Sequence, residues 1–81
     1  MIHQHGRFNR HSLFTSLDNK LVLDIIQHIP ASNKALLNML YGLFDGYWYY
    51  GVASAIDVTK EVPSSLKKSF QKLIQRVESA A

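Results

Sequence analysis

Three stretches of this chain repeat apolar residues at helical spacing, and Pro30 and Pro63 separate them. In the first stretch Leu17, Leu21, Val22, Ile25, Ile26 and Ile29 recur every three or four residues, while Asp18, Asn19, Lys20, Asp24 and Gln27 take the opposite side. Thr15 and Asp18 have the spacing of a capping box, which predicts a helix beginning near Ser16. Pro30 disfavours helical geometry at Ile29, so that helix ends at about His28. The last stretch is the cleanest. Leu66, Phe70, Leu73, Ile74 and Val77 share one face after the start signal Pro63, Ser64, Ser65, predicting a helix over Ser65 to Glu78.

The middle stretch is broader. After a Ser32 or Asn33 cap, Leu37, Tyr41, Phe44, Trp48, Gly51, Val52, Ala55 and Val58 form one stripe, flanked by Leu36, Leu40, Leu43, Tyr47 and Tyr50. A helix from Asn33 to Val58 with so wide an apolar face must be buried on more than one side. Tyr41, Trp48 and Tyr47 are expected in the core. Asp45-Gly46 is also a strong short-range hairpin signal, and Tyr47 to Val52 has the aromatic content of a strand. Helix is favoured because both faces of such strands would be apolar, and it allows a break at Asp45-Gly46. A hairpin pairing Leu40–Phe44 with Tyr47–Gly51 is the competing arrangement. Gly42 and Gly46 are spaced for close approach of a neighbouring helix or for a loose turn.

Composition sharpens this picture. Eighty-one residues make one domain, spanning 1–81, with 1–14 read as a flexible N-terminal arm. A chain of this size gains only about 3–5 kcal/mol from one core, and zero cysteines removes disulfides as reinforcement. Apolar residues are 47% and charged residues 19% of the chain, so some apolar surface is expected to be covered by another chain. Residues Ala35 to Ile56 are long enough to cross a bilayer, but four tyrosines and Asp45 argue against a membrane span, since a mid-bilayer acid costs about 2.5–3.5 kcal/mol. The lack of cysteine fits a cytoplasmic setting.

The charge balance, nine Lys and Arg against six Asp and Glu, is mildly basic at +3 and falls short of a nucleic-acid-binding composition. Positive charge gathers in two places. Residues 1–19 hold Arg7, Arg10 and three histidines, with no acid before Asp18; the last helix sets Lys68, Lys72 and Arg76 one turn apart in a row. His3 and His5 have no third ligand nearby, and the carboxylates Asp18, Asp24, Asp45, Asp57, Glu61 and Glu78 show no pairing with a histidine or nucleophile. Glycine-rich phosphate loops, nucleophile elbows and metalloprotease motifs are missing. No enzyme activity, metal or cofactor is expected.

The order of Tyr49-Tyr50, then Asp57-Val58-Thr59-Lys60-Glu61-Val62, then Pro63-Ser64-Ser65-Leu66 and a basic amphipathic helix resembles the small bacteriocin immunity proteins over Leu36 to Val77. That resemblance does not extend to a full-length first helix or a long C-terminal tail. It implies a basic antiparallel helical bundle that protects a producing bacterium by binding a bacteriocin-receptor complex. From the residues themselves the expectation is an all-α, single-domain, three- or four-helix bundle, associating as a homodimer, that acts by regulatory or inhibitory protein binding. Tyr49, Tyr50, Lys68, Lys72 and Arg76 are the candidate partner-binding residues. Immunity-type protection and a basic nucleic-acid-binding accessory role are the alternatives. If two copies associate through Tyr49 and Tyr50, the melting temperature should rise with protein concentration, and replacing both tyrosines should weaken association. A monomer by light scattering at about tens of micromolar, with melting independent of concentration, would refute the homodimer.

Overall fold

The computed structural model describes residues 5–80 of the chain. It is mostly helical with a small two-stranded sheet, in the order β1 (His5–Arg7), α1 (Arg10–Leu13), α2 (Ser16–His28), α3 (Lys34–Phe44), β2 (Tyr47–Tyr49), α4 (Val52–Asp57) and α5 (Ser64–Ala80).

Helix ends follow local chemistry. The Asn9 side chain accepts from the His11 and Ser12 backbone N–H groups and starts α1. Thr15 and Asp18 form a full capping box at α2: the Thr15 N–H donates to the Asp18 carboxylate and the Asp18 N–H to the Thr15 hydroxyl oxygen. Ile29 is extended, as the following Pro30 requires, and α2 stops there. Asn33 caps α3 by accepting from the Leu36 N–H, and the Pro63 carbonyl accepts from the Lys67 N–H at the start of α5.

Helices α2 and α4 each pack on both α3 and α5. The core is one cluster, with Phe70, Leu73, Ile74 and Val77 of α5 facing Val22, Ile25 and Ile29 of α2, Leu36, Leu40 and Leu43 of α3, and Val52 and Ile56 of α4. Trp48 of β2 and Phe8, just after β1, complete it.

The middle of the chain departs from the sequence expectation. A continuous helix from Asn33 to Val58 does not form: α3 ends at Phe44, Gly46 turns with φ +85, and Tyr47–Tyr49 becomes a strand. That strand does not pair with Leu40–Phe44, which stays helical. Its partner is β1, antiparallel, with Arg7 opposite Tyr47, Gly6 opposite Trp48 and His5 opposite Tyr49. The all-α class is therefore corrected to helices around a short ribbon. A non-local partner satisfies the β2 backbone, so a local hairpin is unnecessary. Of the stretch 1–14 expected to be a flexible arm, residues 5–7 form β1, 10–13 form α1, and Phe8 is buried.

The phase of the middle stripe also changes. Leu36, Leu40 and Leu43, expected on its flank, are buried, whereas Tyr41 is 52% and Val58 77% exposed. Once α3 ends at Phe44, the residues beyond it no longer share a helical face with Leu37 and Tyr41, so the stripe loses its common direction. Leu17, first in the α2 pattern, is 76% exposed. The small residue at Gly42 serves close approach of an aromatic ring from β2, since a Cβ there would collide with Tyr49. No described helix is long and apolar enough to cross a membrane.

Phe70 is fully enclosed at the centre of α5. Phe70→Ala should cost about 3–5 kcal/mol of unfolding free energy in a denaturant titration, and a loss below about 1 kcal/mol would show that α5 does not anchor the core as described.

Candidate functional site

Pairing β1 with β2 places Arg7 across from Tyr47, and the Arg7 guanidinium carbon lies 5.0 Å from the centre of the Tyr47 ring. The chain then enters the core at Phe8, whose N–H donates to the Gly46 carbonyl at 2.9 Å. Asn9 starts α1 immediately afterwards. This short path fixes Arg10, whose guanidinium lies over the Phe44 ring at 5.9 Å and donates through Nη2 to Asn19 Oδ1 at 2.9 Å. Tyr41, one turn before Phe44 on α3, tilts against it with ring centres 6.4 Å apart. Tyr41, Phe44 and Arg10 thus touch in sequence, and Arg7 with Tyr47 stands beside them.

Between the β1–α1 segment and the α3–β2 turn lies a hollow of about 390 Å³. Arg7, Asn9, Arg10 and His11 form one wall; Phe44, Asp45 and Gly46 form the other. Among the described residues the one ion pair is Arg76 with Asp18, so no contacting carboxylate neutralises Arg7 or Arg10. The Nε of Arg10 is buried and carries no hydrogen bond. A second hollow of about 300 Å³ is lined by Gly6, Arg7, Trp48, Tyr50 and Glu78. There too a buried donor, Trp48 Nε1, is unpartnered.

The residues chosen from sequence are dispersed. Tyr49 is half-buried with its ring against Gly42. Tyr50 is 54% exposed, edge-on to Trp48 at 6.0 Å, and shares the second hollow with Glu78. Lys68 and Lys72 are exposed on α5. Arg76 is committed within the fold, donating to Asp18 Oδ1 at 2.7 Å and to the Leu13 carbonyl at 3.0 Å. Tyr41, expected in the core, lies on the surface instead, because α3 turns Leu36, Leu40 and Leu43 inward.

The Arg7, Arg10, His11 and Phe44 grouping went unselected in the sequence, although the signal was present. The segment Arg7-Phe8-Asn9-Arg10-His11 interleaves cations with an aromatic and contains no acid. His3 and the side chain of His5, considered as metal ligands, lie outside the described residues. Among the described residues no group of three or more His, Asp or Glu side chains gathers where it could hold a metal ion. What the Arg–aromatic face offers is recognition: fixed guanidinium donors for acceptors, and aromatic faces for apolar or planar groups. Comparison with protein-family models, with curated proteins and with solved structures finds no match to this chain.

Asp18 joins the α2 cap to α5. Partial burial pushes its carboxyl up, but hydrogen bonds from the Thr15 N–H and the Arg76 guanidinium, with the Arg76 charge, outweigh that and leave it below its ordinary value. Because the folded value is depressed, the stabilisation is complete above the ordinary carboxylate value and disappears as pH falls through the folded one. The stability advantage of the wild type over Asp18→Asn should therefore be largest near neutral pH and shrink below about pH 4. A difference unchanged between about pH 7 and pH 3 in parallel urea titrations would rule out this linkage.

Proposed function

We propose that this chain is a protein-binding module that uses the Tyr41, Phe44, Arg10, Arg7 and Tyr47 face to hold a partner, and so regulates or inhibits it by occupancy. The observation that carries the reading is the placement of both arginines over aromatic rings beside an open hollow. Tyrosine and arginine are enriched among the side chains that dominate binding energy at protein interfaces. Side chains already held in place lose less conformational freedom when a partner docks. Tyr41 contributes an exposed aromatic at the edge of the same face.

A nucleic-acid partner fits these residues less well. Arg76, one of the three cations in the α5 row, is spent on Asp18 and the Leu13 carbonyl, which leaves Lys68 and Lys72.

Affinity capture from extracts of the source cell, with Tyr41→Ala and Arg10→Ala set against Lys60→Ala on the α4–α5 connection, tests the reading. Each face variant should weaken capture of a specific protein by about 10- to 30-fold, equivalent to about 1.4–2 kcal/mol at a hot spot. The Lys60 variant should retain it, and all three should keep the wild-type circular dichroism. Capture indifferent to both face variants, or lost on nuclease treatment, would overturn the proposal.

A further inference from the structure

We infer that the hollow between the β1–α1 segment and the α3–β2 turn is a seat for one carboxylate, supplied by an acidic side chain of the bound protein. This inference rests on the protein-binding reading and specifies the chemistry of its anchor. Arginine carries five N–H donors and no acceptor. For Arg10 the structure supplies one acceptor, Asn19 Oδ1, and leaves Nε buried without any. A buried charged donor with no acceptor is costly, and Arg10 is one of the residues that line the hollow.

The charge balance points the same way. Arg7 and Arg10 both line the hollow, and neither is paired with a carboxylate. Asp45 is the one acid in the walls and His11 the one imidazole, so the walls carry an excess of positive charge with His11 neutral. The guanidinium of Arg10 is held from two directions, by Asn19 and by the face of Phe44, so its planar fork is oriented before any ligand arrives. A carboxylate is the anion that an unmodified protein partner carries, and its two oxygens match the planar guanidinium fork. The Phe44 ring in the wall then covers the apolar stem of the incoming side chain.

The test is an NMR titration of the isotope-labelled full chain with sodium acetate, with sodium phosphate, and with sodium chloride at matched ionic strength. Acetate should give saturable shifts at the Arg10 Nε–H and at the amides of residues 7–11 and 45–46. Half-saturation should fall in the millimolar range expected of a single charged contact. Arg10→Gln should abolish the shifts, and Arg10→Lys, which keeps the charge but not the fork, should weaken them about tenfold or more. Both variants should keep the wild-type circular dichroism, even where loss of the Asn19 bond lowers the melting temperature. Shifts no larger than those from chloride, or persisting in Arg10→Gln, would overturn the seat. Phosphate binding about tenfold tighter than acetate would overturn the carboxylate assignment in favour of a phosphate-bearing ligand. The two readings fail separately. Loss of partner capture in Tyr41→Ala without any acetate response removes the seat and leaves the binding face. Saturable acetate binding in a chain whose capture ignores both face variants leaves the seat and removes the partner reading.

Discussion

Gly46 holds a left-handed turn at φ +85, and a Cβ there would stand 2.9 Å from the Phe8 carbonyl oxygen. Both conditions call for glycine. The turn stops α3 and reverses the chain into β2, while the absent side chain lets the Phe8 backbone close against it through the Phe8 N–H to Gly46 carbonyl bond. The ribbon register follows from that closure, and with it the placement of Arg7 over Tyr47. Two residues later the chain is already in α1, so Arg10 can reach only the near face of α3 and α2. The candidate site is thus a consequence of backbone reversal at one residue.

Helix α1 has four residues, far below the length at which a helix persists alone in water. Its position comes from its surroundings. Asn9 caps its start, Arg10 donates to Asn19 on α2, the Leu13 carbonyl accepts from Arg76 on α5, and Phe14 stacks on Phe8 at 5.5 Å. Arg76 also ties α5 to Asp18 in the α2 cap. One side chain therefore joins α5 to both the end of α1 and the beginning of α2. That is why the cation which looked available in the sequence belongs to the scaffold.

The limits of α2 and α5 were legible because their signals are local. Thr15, Asp18 and Pro30 act within a turn of the ends they set, and the α5 apolar face from Leu66 to Val77 has a charged opposite side that leaves one possible phase. The middle was not legible, because Tyr47-Trp48-Tyr49 is apolar on both faces and its period does not separate strand from buried helix. What decided it was a partner strand about forty residues away in sequence, which no local pattern records. The same ambiguity hid the candidate face. With helix assumed throughout, Tyr41 and Trp48 fell on one stripe, whereas the structure sends Trp48 inward and leaves Tyr41 on the surface. Arg7 and Arg10 drew no attention in a segment read as a free arm.

Among the described residues the two unpartnered buried donors, Arg10 Nε and Trp48 Nε1, belong to residues lining the two hollows. Elsewhere in the chain polar groups are spent economically: Asn9, Thr15 and Asn33 cap helices, and Asp57 accepts from Gln71 through its carboxylate and from Lys67 through its backbone carbonyl. A small core has little stability to spare for unsatisfied donors. Their concentration at the ribbon, beside the one ring-held arginine pair, matches the general pattern in which folds leave local polar frustration where a ligand can relieve it. Under the proposed partner binding, an acceptor supplied to the Arg10 guanidinium would offset part of that cost.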